Sequence, residues 1–147
     1  MHQPAQSAQA RWQSIILDDA EFVPNDSTRD LTGGRFPGYN YTGSVDDIII
    51  FYRLTATLPA NVLGSAGPTW IRGNIQPYAG TMEFSSIFNA QGLITEDVIL
   101  HEIAHVLGIG TVSAGDKRKQ RLKLVSFLPP ITMIYIGRTY DSITWRQ

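Results

Sequence analysis

Apolar and polar positions alternate along this chain in two periods, and the periods mark out its elements. From Val45 to Leu58 the pattern predicts a strand. Its first half, Ile48-Ile-Ile-Phe-Tyr52, is β-branched and aromatic without interruption, as in a strand buried on both faces. In its second half Leu54, Ala56 and Leu58 alternate with Arg53, Thr55 and Thr57. Ala79 to Phe84 also alternates, which predicts a second or third strand at an edge. Around position 100 the period lengthens: Ile99, Ile103, Val106 and Leu107 recur at the spacing of one helical face. That helix is predicted to start near Thr95, a fair N-cap, with Glu96 and Asp97 in the first turn where the helix dipole favours them, and to stop at Gly108 or Gly110. An earlier helix is predicted over Ala10–Leu17, with Trp12, Ile15 and Ile16 on one face and Asp18, Asp19 and Pro24 closing it.

Between these elements the pattern breaks. Residues 1–10 are polar and are predicted to be disordered. Residues 24–44 contain four glycines among Asn, Asp, Ser, Thr and Pro, which predicts a long loop or wide hairpin rather than a linker. Gly64, Gly67-Pro68, Gly73 and Pro77 cut residues 59–78 into short turns around Thr69-Trp-Ile-Arg72, and Ser85 to Gln91 predicts one turn of helix. No internal repeat is visible. The chain changes character after Thr111. Residues 1–111 carry 5 basic and 11 acidic side chains, residues 112–147 carry 7 and 2. The latter stretch holds a basic run, Lys117 to Lys123, and an apolar one, Ile131 to Ile136, with no clean periodicity. The chain thus divides into a folded unit over 1–111 and an atypical tail over 112–147.

Composition narrows the class. At 147 residues, 43% hydrophobic and 17% charged, the chain is long and apolar enough for one domain with a sizeable core. A net charge of −1 argues against a nucleic-acid or membrane partner, and the Lys117–Lys123 run reads as a solvated loop before it reads as a nucleic-acid or nuclear-import patch. No run of 18 apolar residues predicts a transmembrane segment. Cysteine is absent, which removes disulfides, thiolate ligands and thiol catalysis. Met1 to Ser7 has neither the basic start nor the apolar core of a signal peptide. Sequons stand at Asn25-Asp-Ser27 and Asn40-Tyr-Thr42.

The chemistry concentrates in His101-Glu-Ile-Ala-His105, the pattern H-E-x-x-H on the predicted helix. Positions i and i+4 share a helical face, so both imidazoles can hold one Zn²⁺, each nitrogen roughly 2.0–2.1 Å from it. Glu102, offset by one residue, borders the metal without having to bind it, as a general base does. The competing reading is a helix with two ordinary histidines. Its apolar setting weighs against this, because polar groups on a buried helix are costly without a partner. His2, the third histidine of the chain, reads as solvated. Asp116 and Asp141 are the acidic residues after Glu102, and each reads as a solvated loop carboxylate before it reads as a ligand. Trp70, Tyr78 and Trp145 could line a substrate cleft, although scattered aromatics are usually packing.

The run from His101 through Val106-Leu-Gly-Ile-Gly-Thr111 resembles the zinc helix of leishmanolysin-like metallopeptidases of the metzincin clan, and the similarity takes in about residues 10–111. Arg11-Trp12 with Ile15-Ile16, Val45-Asp-Asp-Ile-Ile-Ile50, Gly64-Ser-Ala-Gly-Pro68 and Gly80-Thr-Met-Glu-Phe84 take part in it. The resemblance implies an α+β, zincin-like fold: a twisted mixed sheet, a helix behind it, and the zinc helix. It implies zinc on His101 and His105, Glu102 as base, and a protein or peptide substrate pairing with an edge strand near Gly80–Phe84. It also implies an extracellular setting. The family's third ligand is a histidine, yet Thr111 stands three residues after Gly108 and no histidine follows His105. Tyr135 to Thr144 resembles part of the insertion that precedes that ligand in the leishmanolysin branch. The chain accordingly reads as an N-terminal part of a catalytic domain or a truncated product: a metalloendopeptidase, or an inactive zincin-like module.

Overall fold

A computed structural model of the chain describes residues 1–15, 20, 22–24, 29–39, 41–73, 76–109 and 132–136. Its elements run α1 (His2–Ile15), β1 (Ile48–Thr55), β2 (Gly64–Ile71), β3 (Pro77–Ser85), α2 (Ser86–Ala90), α3 (Glu96–Val106) and β4 (Thr132–Ile136). The architecture is α+β. One four-stranded mixed sheet has the order β2-β3-β1-β4, with β1 and β3 parallel, Ile49 opposite Ala79 and Thr55 opposite Ser85. The outer strands β2 and β4 are antiparallel to their neighbours. No described helix is long and apolar enough to cross a membrane.

β1 is buried on both faces, as its uninterrupted apolar run predicts. Ile48, Ile50 and Tyr52 join Met82 and Phe84 of β3 against Ala5 and Ala8 of α1 and Ile99, Ile103 and Val106 of α3. Ile49 and Phe51, one residue out of phase, join Tyr78 and Ala79 under Leu31, Phe36, Tyr41 and Val45. The described part of the predicted loop over 24–44, residues 29–39 and 41–44, is thus the cover of the second face, next to the bridge between Val23 and Val45. Three polar contacts fasten it. Trp70 Nε1 donates to the Asp30 carbonyl at 2.8 Å, Thr69 Oγ1 to the Leu31 carbonyl at 2.7 Å, and Arg29 Nη1 to the Tyr78 hydroxyl at 2.8 Å. Trp70 and Tyr78 are therefore occupied in packing this loop.

Four expectations are corrected. The first helix begins at His2, not near Ala10, and residues 2–10 are helical rather than disordered. Ala5 and Ala8, 2% and 0% exposed, continue the inward face of Trp12 by a spacing in which small residues carry little hydrophobic signal. They let α1 lie close to α3. Residues 64–71, predicted as turns, form β2. Gly67 and Pro68 discourage a central strand, but an edge strand tolerates them, and the register slips just past Pro68. β3 is consequently an inner strand, one place in from the edge. Within 112–147, where no regular element is predicted, Thr132–Ile136 pairs with β1, Ile136 opposite Ile48. Asp116, Asp141, Lys117–Lys123, Trp145, Asn25 and Asn40 lie outside the described residues.

Candidate metal centre

α3 is held from three directions. Its buried face, Ile99, Ile103 and Val106, lies on the sheet. At its N-terminus Thr95 takes the N-cap position, yet its side chain makes no cap bond. The first-turn carboxylates serve α1 instead: Glu96 accepts from Ser7 Oγ at 2.6 Å and from Arg11 Nη1 at 3.2 Å. One turn on, Trp12 Nε1 donates to the Leu100 carbonyl at 3.3 Å, beside the first histidine.

The third hold is the C-terminal turn. Gly108 has φ +88°, a conformation that favours glycine. Its N–H donates to the His105 carbonyl at 3.0 Å, and the Ile109 N–H to the Ala104 carbonyl at 2.9 Å. These are the paired bonds of a Schellman motif. The reversal brings the Ile109 carbonyl to within 3.0 Å of His105 Nδ1. A carbonyl oxygen only accepts, so Nδ1 carries the hydrogen and Nε2 keeps its lone pair.

That lone pair accepts from the other histidine, whose Nε2 then carries its hydrogen in the metal-free protein. His105 Nε2 and His101 Nε2 are 2.9 Å apart, with the rings edge to face at 87°. Two nitrogens bound tetrahedrally to one zinc ion would stand about 3.3 Å apart. The observed pair is within a few tenths of an ångström of that, and its donors and its carbonyl-fixed tautomer suit a divalent metal. His101 and His105 thus lie side by side on α3, with Glu102 one residue on from His101. The predicted burial is not uniform, however. His101 is exposed and His105 half-buried, while Glu102 is only 6% exposed. The burial argument thus applies to the glutamate more than to the imidazoles. Burial pushes the Glu102 carboxyl above the ordinary glutamate range, opposed by the nearby His101 and His105 rings when protonated.

Glu102 lies against the first residue of β2. A Cβ built on Gly64 would stand 3.0 Å from both Cγ and Oε1 of Glu102. Further along, a Cβ on Gly80 of β3 would collide with Val106 Cγ1 and stand 3.0 Å from the Gly67 carbonyl. Two glycines in two strands thus allow α3 its close seat on the sheet. Neither signal is periodic, and neither belongs to the metal motif. Among the described residues no third His, Cys, Asp or Glu joins the pair to complete a metal-binding group. His2 opens α1 and is exposed. Comparison with known proteins finds no match to this chain among family models, curated proteins or solved structures.

Proposed function

We propose that the chain is a zincin-like, metzincin-type metalloendopeptidase unit, in which His101 and His105 hold zinc and Glu102 is the general base. The observation that carries this reading is the convergence of the two Nε2 atoms at 2.9 Å on the exposed side of α3, beside a buried carboxylate. A bound zinc ion would supply a Lewis acid that acidifies water and polarises a substrate carbonyl. Glu102 would accept the proton that water loses and hand it to the departing amine. His105, held by the Ile109 carbonyl, keeps Nε2 available as a donor to the metal.

The substrate side of the reading rests on β2. Among the described residues no strand pairs with its outer edge. Its inner neighbourhood touches Glu102 through Gly64. An extended peptide adding to that edge would run alongside α3, with its backbone amides satisfied by the strand.

The test is zinc content and casein hydrolysis of the full chain, wild type against Glu102→Ala and His101→Ala. We expect zinc in the wild type and in Glu102→Ala, with hydrolysis reduced at least 100-fold in the latter, and neither zinc nor hydrolysis in His101→Ala. Absence of zinc from carefully prepared wild type would sink the proposal. A second reading, an inactive zincin-like binding module, draws on the lack of a third ligand among the described residues. Zinc binding without turnover would favour it.

A further inference from the structure

We propose that Gly64 is a positioning residue: by lacking a side chain, the first residue of β2 forms the wall against which the Glu102 carboxylate is set. This rests on the peptidase reading for its functional meaning, but the contact itself does not. A Cβ at Gly64 would meet Glu102 Cγ and Oε1 at 3.0 Å and Cδ at 3.1 Å, and these are its three nearest contacts. That spacing is closer than carbon atoms ordinarily approach, so something must give by a few tenths of an ångström. The neighbour that gives is the outer part of the glutamate side chain, not backbone. The molecule can therefore keep its fold while the carboxylate leaves its place.

The backbone at position 64 does not demand glycine. Its φ is not in the left-handed region, so alanine can adopt its backbone conformation. Gly67, three residues along the same strand, supplies the control. Its φ is equally ordinary, and a Cβ there would meet nothing within 4 Å. The two substitutions Gly64→Ala and Gly67→Ala cost the same change in intrinsic strand preference and differ in whether the new methyl reaches Glu102.

The experiment uses the full chain as wild type, Gly64→Ala and Gly67→Ala, with ¹³C-labelled glutamate. The Glu102 carboxyl resonance is identified as the one that Glu102→Gln removes. In zinc-free protein it is expected to move in Gly64→Ala and to stay in Gly67→Ala. With zinc added, casein hydrolysis is expected to fall about tenfold in Gly64→Ala, in kcat rather than KM, since small misplacements of a reacting group carry penalties of this order. Zinc affinity should be equal in all three. In a Glu102→Asp background the shorter acid withdraws from the methyl, and the Gly64→Ala penalty should shrink below threefold. An unmoved resonance in folded Gly64→Ala overturns the proposal, as does an equal shift of it in Gly67→Ala. If wild type does not hydrolyse casein, the peptidase reading falls and the resonance decides the contact alone. If Gly64→Ala does not fold, the double variant Gly64→Ala/Glu102→Ala decides: melting at the temperature of Glu102→Ala supports the contact, and failure to fold overturns it.

Discussion

Gly108 shows how one residue without a side chain can set the chemistry of another. Its positive φ reverses the chain, the reversal turns the Ile109 carbonyl inward, and that carbonyl fixes the hydrogen on His105 Nδ1. Gly108→Ala is expected to destabilise the fold by about 1 kcal/mol, because alanine is strained at this φ. If His101 and His105 hold zinc as proposed, it should also weaken zinc binding about tenfold through the lost orientation of His105. Urea unfolding and competition with a chromophoric chelator measure the two effects. Asp30 governs a different turn. Burial opposes its charge, but bonds from the Thr32 hydroxyl and from the Thr32 and Gly34 N–H groups outweigh that and hold its pKa below the ordinary aspartate range. The ionised form therefore stabilises the fold above the unfolded-state pKa, and this contribution is lost as pH falls through the depressed folded value. Asp30→Asn should cost about 1 kcal/mol at pH 7, and the difference from wild type should fade in urea titrations carried below that range. The side-by-side placement of His101 and His105 was legible in the sequence because i and i+4 are fixed by helix geometry alone. The Ile109 carbonyl and Gly64 were not, since one depends on a backbone reversal and the other on a contact 38 positions away in the chain.

At the level of elements, legibility followed side-chain size. β1 and α3 announced themselves through large apolar residues at their proper periods. The N-terminal half of α1 relies on Ala5 and Ala8, and β2 on glycines and a proline, so neither has a strong periodic signature. In both, the missing bulk has a use: it lets two elements come close. Gly80 is the clearest case. Gly80→Ala should destabilise the protein by about 1–3 kcal/mol through overpacking against Val106. Adding Val106→Ala should relieve only part of this, because the Gly67 carbonyl, a backbone atom, remains 3.0 Å from the new methyl. Thermal melts of the single and double variants check both statements. Trp12→Phe keeps the ring but removes the donor to the Leu100 carbonyl, and about 0.5–1.5 kcal/mol is expected to go with it.

For the whole molecule, the sheet separates two interiors. On one face the helices carry His101, Glu102 and His105. On the other, a loop next to the bridge between Val23 and Val45 seals the sheet with Leu31 and Phe36. If zinc binds only the folded form, it should raise the melting temperature, by an amount equivalent to about 2.7 kcal/mol at a free concentration one hundred times Kd. His101→Ala should abolish that rise, and calorimetry with and without zinc reads it directly. By itself the sequence determined what is local: the doubly buried character of β1, the helical register of His101 and His105, and a helix stop at Gly108 or Gly110, between which the structure chooses Gly108. Each follows from spacings of a few residues. Only the tertiary structure decided which strand lies at the edge, which glycines admit α3 to the sheet, and that Glu102, rather than the histidines, is the buried member of the motif. Those outcomes depend on where distant segments meet, and a residue whose contribution is an absent side chain leaves no periodic trace from which to read it.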